Sequence, residues 1–247
     1  MIRVAPFFAA LFLAIFTLPA CANPNAEAER VKAELKKKFP DAPVDTVRRA
    51  GYGGLFEVTG GGEIFYTDEK TTFLLVGSLI DTKTRENVTE ARQRKLSAID
   101  FSQLPLDSAI KIVRGDGSRK IAVFEDPKCG YCKRFERDLA KVDNLTMYLF
   151  LYPILSEESR QQSAGVWCAA DPGKAWLDLM LNDKVPAPAN AKCETPLDKI
   201  VAYGREKRIT GTPTVIFEDG ERVPGAMSTA AIEKRLADAK AAVTNKK

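Results

Sequence analysis

The stretch KIAVFEDPKCGYCKRFE, residues 120–136, decides the fold of this chain. Its first half contains the apolar run IAVF, typical of a buried strand, and its second half has the pattern of a helix. Cys129 and Cys132 are therefore predicted to lie where a buried strand ends and a helix begins. Backbone N–H groups and the positive end of the helix dipole stabilise a thiolate there, so we expect Cys129 to ionise below the free value of ~8.5. Lys128 and Lys133 add positive charge nearby.

Zinc binding and a purely structural disulfide are the alternatives for Cys129 and Cys132. A structural zinc site needs four ligands, usually in two close pairs, but Cys168 and Cys193 are far apart and the chain has no histidine. A disulfide between Cys129 and Cys132 would close too short a loop to give much entropic stabilisation. The lack of histidine also excludes Ser-His and Cys-His hydrolases. Thiol–disulfide exchange needs only a thiolate, a resolving thiol and room for a polypeptide, so we favour it and expect no metal and no cofactor.

Cys168 and Cys193 are interpreted as a structural disulfide. The loop that they would close has about 26 residues, which corresponds to a chain-entropy contribution of roughly 3.5 kcal/mol. Cys168 follows Trp167 in a predicted helix, away from any exposed helix start.

The motif TGTPT, residues 210–214, is the third candidate element of the site. Pro213 enters a predicted strand directly after a glycine turn, and it cannot donate to a sheet ladder, so it lies at a turn or an edge. Only ~5% of X-Pro bonds are cis. A cis bond between Thr212 and Pro213 would turn the backbone polar groups of Thr212 toward the cysteines, where an extended substrate could pair with them.

The N-terminus has the pattern of an export signal. Arg3 precedes an apolar stretch over residues 4–18, and Ala20-Cys21-Ala22 has the small-x-small pattern of a cleavage site. We expect residues 1–22 to be a signal peptide and the mature protein to be soluble in the periplasm. The alternatives are a lipoprotein with Cys21 as the lipidated first residue, and an uncleaved anchor, although the apolar stretch is shorter than the ~20 residues that a bilayer requires.

Residues 23–84 are predicted to form a small α+β domain. The helix over residues 25–39 has one apolar face, and β-rich runs follow at residues 55–59, 63–67 and 72–80. The predicted apolar face of the helix consists of Ala28, Val31, Leu35 and Phe39. A domain of about 60 residues buries only ~60% of its unfolded surface, so we expect it to associate, for example with a second copy of itself.

Residues 85–103 are predicted to be a polar linker helix, capped by Thr89, and residues 104–247 an α/β domain. The turn at Asp116-Gly117 predicts a hairpin between the strands on either side of it, and Asp219-Gly220 predicts another. Ser156, Asp171 and Thr195 are predicted helix caps. The formal net charge of +4 is small and dispersed, which argues against nucleic acid as a partner.

The motifs FEDPKCGYCKRFE, WCAADPGKAWLDLM, APANAKCE and GTPTVIFEDGERVPG, with a small N-terminal sheet joined by a helix, resemble the DsbC family of bacterial periplasmic disulfide isomerases. The resemblance covers essentially the whole mature chain. It implies a thioredoxin-like domain with a helical insertion, after a cystatin-like dimerisation domain and a linker helix. It also implies a V-shaped homodimer with a peptide-binding cleft, and a membrane thiol reductase of the DsbD type that keeps the site reduced.

The resemblance assigns a role to each site residue. Cys129 is the nucleophile and Cys132 the resolving thiol, while Gly130, Tyr131, Thr212 and the cis-proline Pro213 contact substrate. Cys168 and Cys193 form the structural disulfide. Thioredoxin has a buried acid six residues before its first cysteine, where this chain has Val123, so the sequence leaves the route of proton transfer open.

Three functions therefore remain open at this point. A disulfide isomerase or reductase would use Cys129 to attack wrong disulfides in misfolded exported proteins. A dithiol oxidase would use the same residues in the opposite redox state, and a holdase chaperone would bind unfolded chains with the cysteines incidental.

Overall fold

The computed structural model describes residues 24–244. The predicted signal peptide, with Cys21, lies outside these residues. The chain divides into two compact units, the first ending at Leu79 and the second beginning at Ile80. The predicted domain limits at residues 84 and 103 stay a prediction. Within residues 24–244, no helix combines the length and the apolar character needed to cross a bilayer.

The N-terminal unit is one helix against a small antiparallel sheet, in the order β1-β2-β3. Its elements are α1 Pro24–Lys38, β1 Thr46–Arg49, β2 Phe56–Gly60 and β3 Glu63–Thr67. Ala28, Val31 and Leu35 are buried because the helical period places them on one face, where they pack with Phe56 and Val58 of β2. This core is small, as expected for a chain segment of this length.

Two features of this unit differ from the sequence prediction. Phe39 is 43% exposed, because α1 ends at Lys38 and the side chain leaves the predicted apolar face. The run 72–80 is not a strand, since only Leu75 pairs with the sheet, through two backbone hydrogen bonds of 2.9 Å with Tyr66. The apolar side chains of residues 73–76 therefore remain exposed.

The C-terminal unit contains a five-stranded sheet with helices on both faces. Its elements are α2 Val88–Leu96, β4 Ile110–Arg114, β5 Arg119–Glu125, α3 Gly130–Leu139, β6 Leu145–Leu151, α4 Glu157–Trp167, α5 Pro172–Asn182, α6 Leu197–Glu206, β7 Thr214–Phe217, β8 Arg222–Pro224 and α7 Thr229–Thr244. The three helices α4 to α6 lie between β6 and β7 in the sequence and form the predicted helical insertion. The predicted α/β class is confirmed.

The sheet order is β4-β6-β5-β7-β8, with β5 and β6 parallel and the other pairs antiparallel. The predicted hairpin at Asp116-Gly117 is therefore wrong, because β6 lies between β4 and β5. The turn instead packs on the start of β6, where Asp116 N donates to Asn144 Oδ1 at 3.1 Å and Thr146 Oγ1 donates to Gly117 O at 2.8 Å. The hairpin between β7 and β8 is confirmed.

Strand β5 is buried on both faces, which explains its continuous apolar run. Ile121 and Val123 face the core formed with α3, α5 and α7, whereas Ala122 and Phe124 face the opposite core with α6. Because side chains alternate along a strand, Glu125 continues the row of Ile121 and Val123. The chain then leaves β5 and enters α3 with the two cysteines.

Of the four predicted helix caps, two are confirmed and two are wrong. Ser156 and Asp171 cap α4 and α5 by accepting backbone N–H bonds. Asn87 rather than Thr89 caps α2, which buries no residue, as predicted for a polar linker helix. Thr195 is not a cap, because α6 begins after Pro196 without a side-chain capping bond.

Candidate active site

Cys129 occupies the cap position at the start of α3, directly after β5. Its Sγ accepts a hydrogen bond from Cys132 N at 3.4 Å, and it lies 3.2 Å from the carbonyl oxygen of Thr212. The predicted strand-to-helix position of the cysteine pair is therefore confirmed. Both cysteines are present as free thiols.

The thiolate form of Cys129 is stabilised by hydrogen bonds. The Cys132 thiol, the Thr212 side chain and the backbone N–H groups of Cys132 and Tyr131 lower the pKa of Cys129 to about 5, against the opposing effect of burial. Donors to the charged form favour it, and two of them are N–H groups of the helix start. At neutral pH, Cys129 is therefore ionised.

The two lysines beside the motif do not supply this stabilisation. Lys128 Nζ forms an ion pair of 2.8 Å with Glu158, and Lys133 forms one with Asp183. Neither lysine is among the main groups that lower the pKa of Cys129. We expected these two charges to lower the pKa of Cys129, but hydrogen bonds lower it instead.

Cys132 has the opposite environment. Its side chain is fully buried, and burial raises its pKa well above the usual range, reinforced by its hydrogen bond to Cys129. Cys132 is therefore a thiol that donates to the Cys129 thiolate. One ionised thiol and one protonated thiol is the arrangement that sequential attack and resolution require.

Thr212 and Pro213 lie opposite the cysteines, immediately before β7. The Thr212–Pro213 bond is cis, and the Pro213 carbonyl accepts a hydrogen bond of 2.8 Å from Gly225 N. Gly130 is exposed at the helix start, and Tyr131 next to it is 68% exposed. The six predicted site residues, the two cysteines included, therefore lie in one region, formed by the start of α3 and the loop before β7.

Asp126 anchors the loop between β5 and Cys129, and sequence reasoning did not single it out. Its fully buried carboxylate accepts four hydrogen bonds. The donors are Lys128 N at 2.8 Å, Ser159 Oγ at 2.7 Å, Ile154 N at 2.9 Å and Leu155 N at 3.0 Å. This carboxylate joins the active-site loop to the start of α4.

Cys168 and Cys193 form a disulfide with a Cα–Cα distance of 6.1 Å. The bond joins the end of α4 to the loop before α6, within the helical insertion. No cluster of three or more potential metal ligands occurs in the described part of the chain.

Comparison with known proteins connects this site to a family. Residues 20–90 match the family model of the disulfide bond isomerase protein N-terminal domain, and residues 106–240 match a thioredoxin-like domain. The probable thiol:disulfide interchange protein DsbC of Bordetella pertussis is 48% identical over 213 residues, covering 86% of this chain and 75% of that protein. The chain belongs to the DsbC family.

More distant relatives agree with this assignment. DsbC of Escherichia coli K12 is 23% identical over 216 residues, covering 85% of this chain and 89% of that protein. A crystal structure of a disulfide interchange protein from Neisseria gonorrhoeae has 35% identity and a TM-score of 0.53, covering 55% of this chain and 97% of that chain. The DsbC-type activity of this chain is thiol:disulfide interchange, and the predicted family and fold are confirmed.

This DsbC-family chain contains a second buried acid that sequence reasoning missed. Val123, the position considered for proton transfer, is buried among apolar side chains. Glu125 lies on the same face of β5, two residues closer to the cysteines, and its side chain has no exposed surface. The sequence pattern could have revealed Glu125, because this charged residue continues an otherwise apolar strand on the face that carries Ile121 and Val123.

Glu136 is the partner of Glu125 from the adjacent helix. It is one turn beyond Cys132 in α3, is fully buried, and accepts a hydrogen bond of 2.7 Å from Trp176 Nε1. Arg114 Nη2 lies 3.9 Å from its Oε2. Two buried carboxyl groups therefore lie beside the Cys132 thiol of this DsbC-family protein.

Proposed function

We propose that this protein is a periplasmic disulfide isomerase that attacks non-native disulfides in exported proteins with Cys129 and resolves the mixed disulfides with Cys132. The observation that carries the proposal is the contrast between the two thiols. Cys129 is a stabilised thiolate at a helix start, with a pKa of about 5, and Cys132 is a fully buried thiol beside it.

The magnitude of the pKa shift indicates which step benefits. Lowering a thiol pKa from ~8.5 to about 5 raises the thiolate fraction at pH 7 about 30-fold. A Brønsted slope near 0.45 lowers the intrinsic nucleophilicity of the thiolate about 40-fold. The two effects cancel, so the rate of attack by Cys129 does not increase. The rate at which Cys129 leaves a mixed disulfide increases instead, because a stabilised Cys129 thiolate is a good leaving group. An isomerase must release its substrate after each rearrangement, and this shift favours that release.

The surface around Cys129 supports binding of an extended polypeptide. Within residues 24–244, no group accepts a hydrogen bond from the Thr212 N–H. Thr212 also lines a surface groove of about 310 Å³, together with Thr210 and Gly225. We propose that substrate backbone pairs with Thr212 there, while the exposed Tyr131 and Leu155 contact apolar side chains of a misfolded chain.

An exposed apolar segment of the N-terminal unit supports a homodimer with two catalytic arms. Residues 73–76 carry exposed side chains of Phe73, Leu74, Leu75 and Val76, and Val76 is 85% exposed. Such a contiguous apolar segment on a small domain is typical of an interface. Pairing of this segment with its copy closes a C2 dimer, the commonest symmetric oligomer. A cleft between the two arms would hold a misfolded chain during rearrangement.

The isomerase role requires a reduced resting state. We propose that the predicted export signal over residues 1–22 directs the chain to the oxidising periplasm, and that a membrane thiol reductase of the DsbD type keeps Cys129 and Cys132 reduced there. Acid-quenched alkylation in the native compartment distinguishes this from a dithiol oxidase, because the oxidase would be recovered with its disulfide formed. A holdase without redox function would lose no activity in a Cys129→Ala, Cys132→Ala double variant.

Truncation tests the dimer and the isomerase activity together. A fragment starting near Leu104 should fold as a monomer, keep dithiol reductase chemistry and lose most isomerase activity on a scrambled disulfide substrate. Sedimentation of both proteins measures their oligomeric state. A monomeric full-length protein, or a fragment that isomerises as well as the whole chain, contradicts the proposal.

A further inference from the structure

Three carboxyl oxygens are buried beside Cys132 without a fixed hydrogen-bond donor. They are both oxygens of Glu125 and Oε2 of Glu136, and no donor among residues 24–244 serves them. Burial of a carboxylate without donors is strongly unfavourable, so these oxygens require a proton. The roles assigned to Cys129 and Thr212 make no use of this proton.

Glu125 lies between Cys132 and Glu136. The Cys132 thiol and the Glu136 carboxyl group are neighbouring partners that influence its ionisation, although neither donates a hydrogen bond to it in this structure. Both partners are themselves titratable, which is why Glu125 has no fixed donor. The Cys129 thiolate also raises the pKa of Glu125 through its charge.

Glu136 is the member of the pair that is equipped to hold negative charge. Its Oε1 accepts the Trp176 indole N–H at 2.7 Å, and Arg114 lies 3.9 Å from Oε2 on the side of β4. Glu125 has no comparable cation or fixed donor. Burial raises the pKa of both carboxyls, and the charge of Glu136 raises that of Glu125 further. Two adjacent buried carboxyls hold one proton between them, and here it resides on Glu125.

We propose that Glu125 relays the proton of the Cys132 thiol to Glu136 when Cys132 resolves a mixed disulfide. This role rests on the proposed exchange chemistry of Cys129 and Cys132. Before the step, the Glu125 hydroxyl donates to Glu136 Oε2 and the other Glu125 oxygen faces the thiol.

The step conserves atoms and charge. The Cys132 S–H bond breaks, its proton passes to Glu125, and the original Glu125 proton passes to Glu136. The Cys132 thiolate attacks Cys129 Sγ, the Cys129–Cys132 disulfide forms, and the bond to the substrate breaks. The substrate sulfur is reduced and leaves as a thiolate. Reduction of the disulfide by an incoming thiolate runs in reverse, and Cys132 regains its proton from the pair.

The relay removes charge from the core. Before resolution, the buried region holds the Glu136 carboxylate, and afterwards both carboxyls are neutral and the negative charge has left on the substrate in water. Burial raises the pKa of Glu136 in spite of its contacts with Trp176 and Arg114, so protonation of Glu136 favours resolution. The proton remains in the core for the next cycle, so no water has to enter.

Stopped-flow kinetics separates this relay from the attack by Cys129. A disulfide peptide with a different chromophore on each sulfur reports attack through the first thiol released and resolution through the second. In Glu125→Gln, attack should change by less than threefold, whereas resolution should slow about 100-fold at pH 7, the usual magnitude for loss of a proton-transfer group. The resolution rate of Glu125→Gln should then rise about tenfold per pH unit, because hydroxide must accept the thiol proton. Glu57→Gln, a buried glutamate of the N-terminal unit, is the matched control and should leave both phases unchanged.

A resolution rate in Glu125→Gln that equals the wild-type rate, or that falls equally at every pH, overturns the relay. Loss of the first phase would instead contradict the proposed function of Cys129. Difference infrared spectroscopy of the oxidised and reduced wild-type protein provides a test that needs no variant. Oxidation should add one protonated carboxyl band, and its absence overturns the proposal.

The same spectrum identifies the final proton acceptor. Trp176 donates to Glu136, so Trp176→Phe should shift the frequency of the added band if Glu136 holds the proton. An added band that Trp176→Phe leaves unshifted places the proton on Glu125 alone and overturns the relay to Glu136.

Discussion

The Sγ of Cys129 lies 3.2 Å from the backbone carbonyl oxygen of Thr212, 83 residues further along the chain. The contact brings the start of α3 against the loop before β7, so a substrate disulfide that reaches Cys129 also meets the backbone of Thr212. The proposed attack by Cys129 and the proposed substrate binding by Thr212 would therefore take place at one position.

Alkylation of Cys129 should follow an ionisation near pH 5, because hydrogen bonds lower its pKa to about 5. The rate should rise as pH increases through this value and stay constant up to pH 8. Cys132 should react far more slowly throughout, because its thiol is buried and remains protonated. Rates measured by mass spectrometry of single-cysteine peptides check this, and a midpoint near ~8.5 for Cys129 would disprove the hydrogen-bond account.

Thr212→Val should raise the midpoint for Cys129 alkylation by about one pH unit. The Thr212 side chain is one of the groups that stabilise the thiolate, and a hydrogen bond to a charged group contributes about 1.5 kcal/mol, equivalent to about one pKa unit. Thr214→Val is the matched control, since Thr214 Oγ1 donates to Gly211 O at 2.7 Å. Equal midpoints in both variants would show that the threonine side chain has no role in ionisation.

Asp126→Ala should lower the free energy of unfolding of the C-terminal unit by about 3 kcal/mol, because it leaves buried donors without their acceptor. Ser159→Ala removes one of these donors and should lower it by about 1 kcal/mol. Urea denaturation of the oxidised proteins measures both values. A loss in Asp126→Ala no larger than in Ser159→Ala would contradict the anchoring role.

Glu125→Gln should stabilise the oxidised protein relative to wild type at pH 7 but not at pH 4. Burial raises the folded-state pKa of Glu125 above its ordinary value of 4.5. Below that value both states are protonated, and above it only the unfolded chain loses the proton, so wild-type stability falls by up to about 1.4 kcal/mol per pH unit. Use of the oxidised form keeps Cys129 from titrating. A pH-independent difference between the two proteins would refute a raised pKa at Glu125.

Local signals in the sequence predicted much of this structure, and non-local pairing limited the rest. Caps such as Ser156 and Asp171 depend on residues within one turn, so the sequence specifies them directly. The turn at Asp116-Gly117 was correctly placed, yet its chemistry does not determine whether β5 pairs with β4 or with β6. That choice depends on how β6, more than twenty residues later, fits the apolar faces of both strands.

In the active site too, local features were predicted from the sequence and features that depend on distant residues were not. The strand and helix pattern located Cys129 and Cys132 correctly, because their surroundings are contiguous in sequence. Most of the groups that lower the pKa of Cys129 lie in the motif itself, but one of them, Thr212, comes from the loop before β7. The sequence did not show that Thr212 would take this part, and the lysines beside the motif do not supply the stabilisation. The carboxyl pair requires both the face of β5 and its packing against α3, so only the folded structure brings Glu125 and Glu136 together.

Refolding of a scrambled disulfide substrate, with wild-type protein, Cys129→Ser and Cys132→Ser compared, tests the central claim most directly. Wild type should restore the native disulfides. Cys129→Ser should be inactive, and Cys132→Ser should accumulate a mixed disulfide between Cys129 and substrate, visible by mass spectrometry. Reshuffling of the substrate by Cys129→Ser would contradict the account, since it would show that another group performs the attack.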